Sequence, residues 1–174
     1  MVKQLTQRLE LAFRVITQRN LDVLDQLEKD HIRIEMLLMQ WKLIKSEKFR
    51  ERLLGSIRQE FSVHSTLEES LFYPACEKFK ELESMISNSY LEHKEVKAEL
   101  KAISSLSQTS DKAATQMRKV TEAIEGHVSK EENDLFPRVR KLMRPAQLQR
   151  LAREYLQAKK EIQQKAKVNS KRAA

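Results

Sequence analysis

Four histidines occur in this chain of 174 residues, and two of them stand in a repeated context. The segment HSTLEESLFYP, residues 64–74, returns as HVSKEENDLFP, residues 127–137. In each, a histidine (His64, His127) is followed four residues later by a pair of glutamates (Glu68-Glu69, Glu131-Glu132), then by apolar residues and a proline. The other two histidines follow an acid, as Asp30-His31 and Glu92-His93, and each precedes one of the two motifs. A lone histidine and then an HxxxE segment is thus the order of both halves of the chain. Imidazole and carboxylate together suit Fe, Mn or Zn rather than Ca or Mg. With Cys76 the only cysteine, a structural zinc site built on thiolates is excluded.

Helices must position these groups. Apolar residues recur every three or four positions, the period of an amphipathic helix. The pattern predicts an N-terminal helix within 1–20, with Leu5, Leu9, Ala12 and Ile16 on one face. A second helix, about 21–44, carries Leu24, Leu27, His31, Ile34 and Leu38. A third starts after Ser46 as N-cap and presents Phe49, Leu53, Ile57, Phe61 or Glu60, His64, Glu68 and Leu71, ending or bending at Pro74. A fourth, about 81–104, presents Leu82, Ile86, Tyr90, His93, either Val96 or Lys97, Leu100 and Ile103. The fifth, capped by Thr109 or Ser110, presents Ala114, Met117, Val120, Ile124, His127, Glu131 and Leu135 before Pro137. A last helix opens at Pro145, a residue suited to the first helical position, and carries Leu148, Leu151, Tyr155 and Ile162. The expected fold is therefore all-α: an up-down-up-down four-helix bundle over 21–160, an additional helix before it, an additional helix at its end, and a basic tail over 161–174.

All four histidines fall on the apolar stripes of four different helices. Residues four apart share a helix face, so Glu68 lies beside His64 and Glu131 beside His127, both turned inward. A buried carboxylate without a partner loses several kcal/mol of hydration unless it takes up a proton or meets a cation. Metal ions shared by the four helices would stabilise both carboxylates and use the imidazoles as neutral donors. A single core histidine, or a Glu four residues from a His on a solvated face, would need no such account. Four histidines on four stripes, two with an inward Glu and in a repeated order, do.

Composition removes other classes. Only Gly55 and Gly126 are available for left-handed positions, too few for a β-sandwich, a barrel or a Gly-rich phosphate loop. Gly126, next to His127, is read as allowing a neighbouring helix to approach closely. The longest apolar run, residues 36–39, is far short of the roughly 18 residues that cross a bilayer. The N-terminal residues lack the apolar core of a secretory signal, and with one cysteine the expected location is the reducing cytoplasm. The net charge of +8 is concentrated in the tail, where Lys159, Lys160, Lys165, Lys167, Lys171 and Arg172 face the single acid Glu161. No recognised nucleic-acid motif accompanies this tail, so a nucleic-acid partner is not expected. A ferritin-like carboxylate site would need two Glu-xx-His motifs, and only Glu28-xx-His31 has that spacing.

Taken together, Asp30-His31, the 64–74 motif, Glu92-His93 and the 127–137 motif resemble the hemerythrin-like, or HHE cation-binding, domains, over about 21–160. The resemblance implies a four-helix bundle around a non-haem di-iron centre. In its terms Glu68 and Glu131 look like bridging carboxylates, His31 and His64 the terminal ligands of one iron, and His93 and His127 those of the other. Manganese or zinc would suit the same donors. The chain departs from the oxygen-carrying members at two places. Lys97 stands where they have a further histidine, and Glu131 lies four residues after His127 where they have an Asp at five, the position of Glu132. Each metal is left with open positions, and Glu35, one turn after His31, is a further candidate donor. The asymmetry of an oxygen carrier is missing, and the implied role is to bind, sense or process dioxygen, peroxide or nitric oxide, or to handle iron. Catalase-like peroxide decomposition is the enzymatic version, and a helical interaction module without metal is the alternative. On this assignment Glu68→Ala or Glu131→Ala should remove metal from both positions, and His31→Ala should harm one more than the other. Metal content per chain measures the difference.

Overall fold

A computed structural model describes residues 21–172; the helix expected within 1–20 lies outside the described residues. Among the described residues every regular element is a helix. Helices α1 (Val23–Leu43) and α2 (Glu47–Leu67) form one hairpin. A π-helical turn (Glu68–Phe72) and a short α3 (Tyr73–Cys76) extend α2. Helices α4 (Glu83–Ile103) and α5 (Asp111–Lys130) form the second hairpin, and α5 continues through another π-helical turn (Glu131–Leu135) into α6 (Phe136–Leu142). Helix α7 (Pro145–Arg172) ends the described chain and runs through most of the segment expected as a basic tail.

Local chemistry sets the helix starts. Asp22 caps α1 in a reciprocal box: its carboxylate accepts from the Leu24 and Asp25 amides, and Asp25 accepts from the Asp22 amide. Arg140 on α6 clasps both acids at 2.5 and 3.0 Å, which ties the end of the second hairpin to the start of the first. Ser110 caps α5 by accepting from the Ala113 amide, as expected, whereas Ser46 stands at the start of α2 without a side-chain cap bond.

Two apolar clusters fill the bundle. One gathers Leu24, Leu27, Leu67, Phe72, Ile86, Leu135, Phe136 and the α7 residues Leu148, Leu151 and Tyr155. The other gathers Ile34, Leu38, Trp41, Leu54, Ile57, Phe61, Val96, Leu100, Ile103, Met117, Val120 and Ile124. Along α1 the chain passes from the first cluster to the second, along α2 back, along α4 forward again and along α5 back. This is up-down-up-down order, and each pass carries a histidine close to where it changes cluster.

The prolines do not end their helices. Proline has no N–H and its ring crowds the carbonyl four residues back, so an unbroken α-ladder cannot pass Pro74 or Pro137. The ladder instead widens by one residue: the Tyr73 amide donates to the Glu68 carbonyl and the Phe136 amide to the Glu131 carbonyl. Each proline then sits in the first turn of the next α-helix, where a missing donor does no harm.

Some expectations change, and one open alternative is decided. Phe49 is 53% exposed, and Leu54 takes its place in the core. Val96, not Lys97, faces inward on α4, and Tyr90 is half-buried beside a buried Ser89. Trp41 is buried in the cluster remote from α7, under the Arg50 guanidinium. A Cβ at Gly126 would meet nothing within 4 Å, so no close approach depends on that glycine.

Candidate metal centre

Between the two clusters, His31, His64, Glu68, His93, His127 and Glu131 come together, each no more than 1% exposed. The rings form two pairs. Centroids are 4.8 Å apart for His31 and His64 and 4.6 Å for His93 and His127, against 6.1 to 6.3 Å across pairs. Glu68 Oε2 lies 3.0 Å from His64 Nε2 and 3.2 Å from His93 Nε2. Glu131 Oε2 lies 3.3 Å from His31 Nε2 and 3.6 Å from His127 Nε2. Each carboxylate therefore touches one ring of each pair. Ligand atoms of His31, His64, His127 and Glu131, and again of His64, Glu68, His93 and His127, lie within 4.8 Å of one another.

These donors fit metal ions. His31 Nε2, both nitrogens of His64, Glu68 Oε1 and Glu131 Oε2 are buried and make no hydrogen bond. The 3.3 Å approach of His31 to Glu131 lacks hydrogen-bond geometry; the two atoms face a common centre. Buried polar atoms left without partners are rare, and a convergent set of acceptors asks for a cation.

Residues 22–139 and 84–173 match the family model for the hemerythrin HHE cation-binding domain. The chain belongs to that family. The overlap of the two matches falls on the second hairpin, as suits a chain with two halves of one design. Among solved structures, a hemerythrin HHE cation-binding-domain protein from Mycobacterium kansasii is similar, with a TM-score of 0.75, 20% identity, and coverage of 84% of this chain and 90% of that one. A curated relative, the DNA nickase of Nostoc sp., is 24% identical over 148 residues, 85% of this chain. The chain spans only 42% of that relative's length. Family and cluster together make this a metal-binding domain.

Around the hemerythrin-like cluster lies a shell of acids that sequence reasoning does not assign. His31 Nδ1 donates to Glu132 at 2.8 Å, His93 Nδ1 to Glu69 at 2.9 Å, and His127 Nδ1 to Glu92 at 3.0 Å. Such a bond fixes the ring and its tautomer, leaving the Nε2 lone pair aimed at the centre. The sequence does carry a signal for them, because Glu69 and Glu132 are the second members of the Glu pairs and Glu92 precedes His93. Each Glu pair splits its work: the first member points into its own cluster, and the second holds the lone histidine of the other hairpin. Glu132 is thus a support for His31. Lys97 binds Glu69 at 2.7 Å and stays half-exposed, and Lys130 likewise binds Glu92. Glu35 lines a groove with Leu38 and Trp41 and is not part of the cluster.

Aromatic rings close the site. Phe136 stacks on His31 at 5.9 Å and Tyr73 on His93 at 5.6 Å; the two residues occupy the same place in the two motifs. Phe61 packs edge-on against His93 at 5.6 Å. The Tyr73 hydroxyl donates to Glu131 Oε1 at 2.9 Å and to Glu68 Oε2 at 3.2 Å, and lies 3.3 Å from His93 Nε2. Tyr90 reaches outward to Glu77 instead.

The electrostatics are those of a site waiting for positive charge. Burial alone would lower the pKa of His31, but the adjoining Glu131 and Glu132 carboxylates raise it to about 10. Burial lowers that of His64. Burial would raise Glu68, yet His64 and His93 hold its carboxyl well below the usual range. Protons on the imidazoles and metal ions compete for one role, so metal binding releases protons. Glu69→Gln or Glu132→Gln should weaken metal binding about 10- to 100-fold, the usual consequence of losing such a partner. Lys97→Met, which breaks a half-exposed pair of about 1 kcal/mol or less, should shift it no more than a few-fold. Competitive metal titration reads both.

Proposed function

We propose that the chain holds a non-haem di-iron centre and uses it to bind and process small oxidants of the size of dioxygen, peroxide or nitric oxide. The single observation behind this is that Glu68 and Glu131 each reach one histidine of each pair, the arrangement required of carboxylates that bridge two ions. His31 with His64, and His93 with His127, would be the terminal ligands. Iron there supplies redox chemistry and open positions for the oxidant. The reducing cytoplasm is the compartment in which such a centre would work, and manganese or zinc would use the same donors.

The chain's own groups restrict what enters. Phe61, Phe72 and Phe136 are buried rings about the cluster, so bulk water and large substrates are kept out. Burial and the neighbouring Glu131 and Glu68 carboxylates push the Tyr73 hydroxyl far above the ordinary phenol range, so it stays protonated as a hydrogen-bond donor inside the site. Entry is assigned to a groove of about 570 Å³ between α2 and α4, lined by Gly55, Arg58, Ser62, Lys97 and Lys101. Phe61 forms part of its wall and packs against His64 and His93 on the other side.

The test is metal analysis of the purified protein, then absorption spectra after anaerobic reduction and exposure to oxygen, peroxide or nitric oxide. Two irons per chain with near-ultraviolet oxo-bridge bands support the proposal. A metal-free chain that stays folded in chelator would favour the helical interaction module instead. Gly55→Trp should slow the spectral response to added oxidant without lowering iron content, because a side chain there meets open space. An unchanged rate would remove the groove from the proposal.

A further inference from the structure

Two grooves of the chain are mixed in charge, and a third is not. The groove beside α1 and α5 sets Lys42, Arg50 and Arg118 against Glu35, Glu122 and Glu125. A smaller one beside α6 sets Arg138 and Lys141 against Glu81 and Asp134. The groove between α2 and α4 carries Arg58, Lys97 and Lys101, with Gln59 and Ser62 as further donors, and none of its lining residues is an acid.

Part of that positive charge is unmatched. Lys97 is held by Glu69, but Arg58 and Lys101 form no ion pair among the described residues, and both are exposed. Ser62 and Lys97 stand close in sequence to His64 and His93, and Arg58 and Lys101 lie one helical turn beyond them. Because α2 and α4 run in opposite directions, those two cations lie at the same end of the groove, away from the histidines. Passage of dioxygen or nitric oxide accounts for neither the charge nor the size, since both molecules are uncharged and fill little of 570 Å³. That volume is in the range of small-molecule sites, roughly 300 to 1,000 Å³. A cleft lined by one sign of charge concentrates counter-ions, and a guanidinium can hold a carboxylate or phosphate through two parallel N–H bonds.

We infer that this groove is a binding site for a small organic anion, a carboxylate or a phosphate ester. Arg58 and Lys101 meet its charge, and Gln59 and Ser62 donate to its oxygens. Gly55, where a side chain would meet only open space, leaves room for the body of the molecule. Lys97 contributes less, because Glu69 already neutralises it. The buried Phe61 ring stands between the groove and the His64 and His93 rings, so the site is distinct from the metal cluster and does not rest on the di-iron proposal.

The experiment is calorimetric titration of the full chain, as purified and after metal removal, with phenyl phosphate, benzoate, inorganic phosphate and the uncharged benzamide. Phenyl phosphate or benzoate should bind at one site per chain, more tightly than inorganic phosphate, with an affinity that falls as salt is added. Benzamide should not bind. The double variant Arg58→Gln/Lys101→Met should weaken binding about 10-fold or more, the loss of two exposed charge partners, and Lys97→Met should weaken it less than either single change. Metal removal should leave the affinity unchanged, so failure of the di-iron proposal would not touch this result. Absence of saturable binding by either organic anion would overturn the inference. Binding that survives the double variant but disappears with the metal would place the anion on the cluster and overturn it too. Inorganic phosphate binding as tightly as phenyl phosphate would overturn the assignment to an organic ligand.

Discussion

Two carboxylates buried at the centre of a helical bundle govern everything around them. Glu68 and Glu131 are fully enclosed, between apolar clusters that offer no compensation. Stripped of water, each would be neutralised by a proton or would destabilise the fold by several kcal/mol. Four imidazoles meet that demand, and their own inner nitrogens then need either protons or metal ions. The outer ring of Glu69, Glu92 and Glu132 settles which nitrogen faces inward, and Lys97 and Lys130 carry the charge balance to the surface. A core of this kind has little tolerance for a missing member, because each polar group is the partner of another.

The π-helical turns explain how one short motif serves so many purposes. Beginning at Glu68 and at Glu131, they rotate the downstream residues around the helix axis. Within six residues the motif supplies an inner carboxylate, an outer carboxylate for the opposite hairpin, and a ring stacked on that hairpin's lone histidine. An uninterrupted α-helix would set residues one apart about 100° from each other and would not place all three in this way. The proline after each motif is the physical reason the widening persists.

Much of this is legible in the sequence. The inner six residues, the two-hairpin order and the bundle follow from histidines on apolar stripes and from the repeat. Periodicity cannot give anything that depends on which helix faces which. The pairing of His31 with Glu132 or His93 with Glu69 joins residues of different hairpins, and no spacing rule reaches across 101 residues. Proline reads as a stop because the α-ladder fails there, and the remedy of a wider turn leaves no mark in hydrophobic spacing. Phe49 falls on the apolar stripe yet lies in solvent, because one more turn of the same period runs past the end of the core. Tyr73 and Tyr90 look alike by sequence. Only the π-helical turn separates them, turning the first hydroxyl onto the carboxylates while the second stays at the rim.

Helix α7 also bears on how the chain is made. Asp30, adjacent to His31, is satisfied by Tyr155 and Lys159, the latter 129 residues further on. During synthesis from the N-terminus, α1 and α2 emerge early, with a buried acid whose partners do not yet exist and an imidazole whose Glu132 has not been added. The first hairpin therefore cannot close its polar interior while the ribosome is still at work on the second. Assembly of the cluster, and the arrival of any ion in it, must therefore wait until Glu132 and helix α7 have been made.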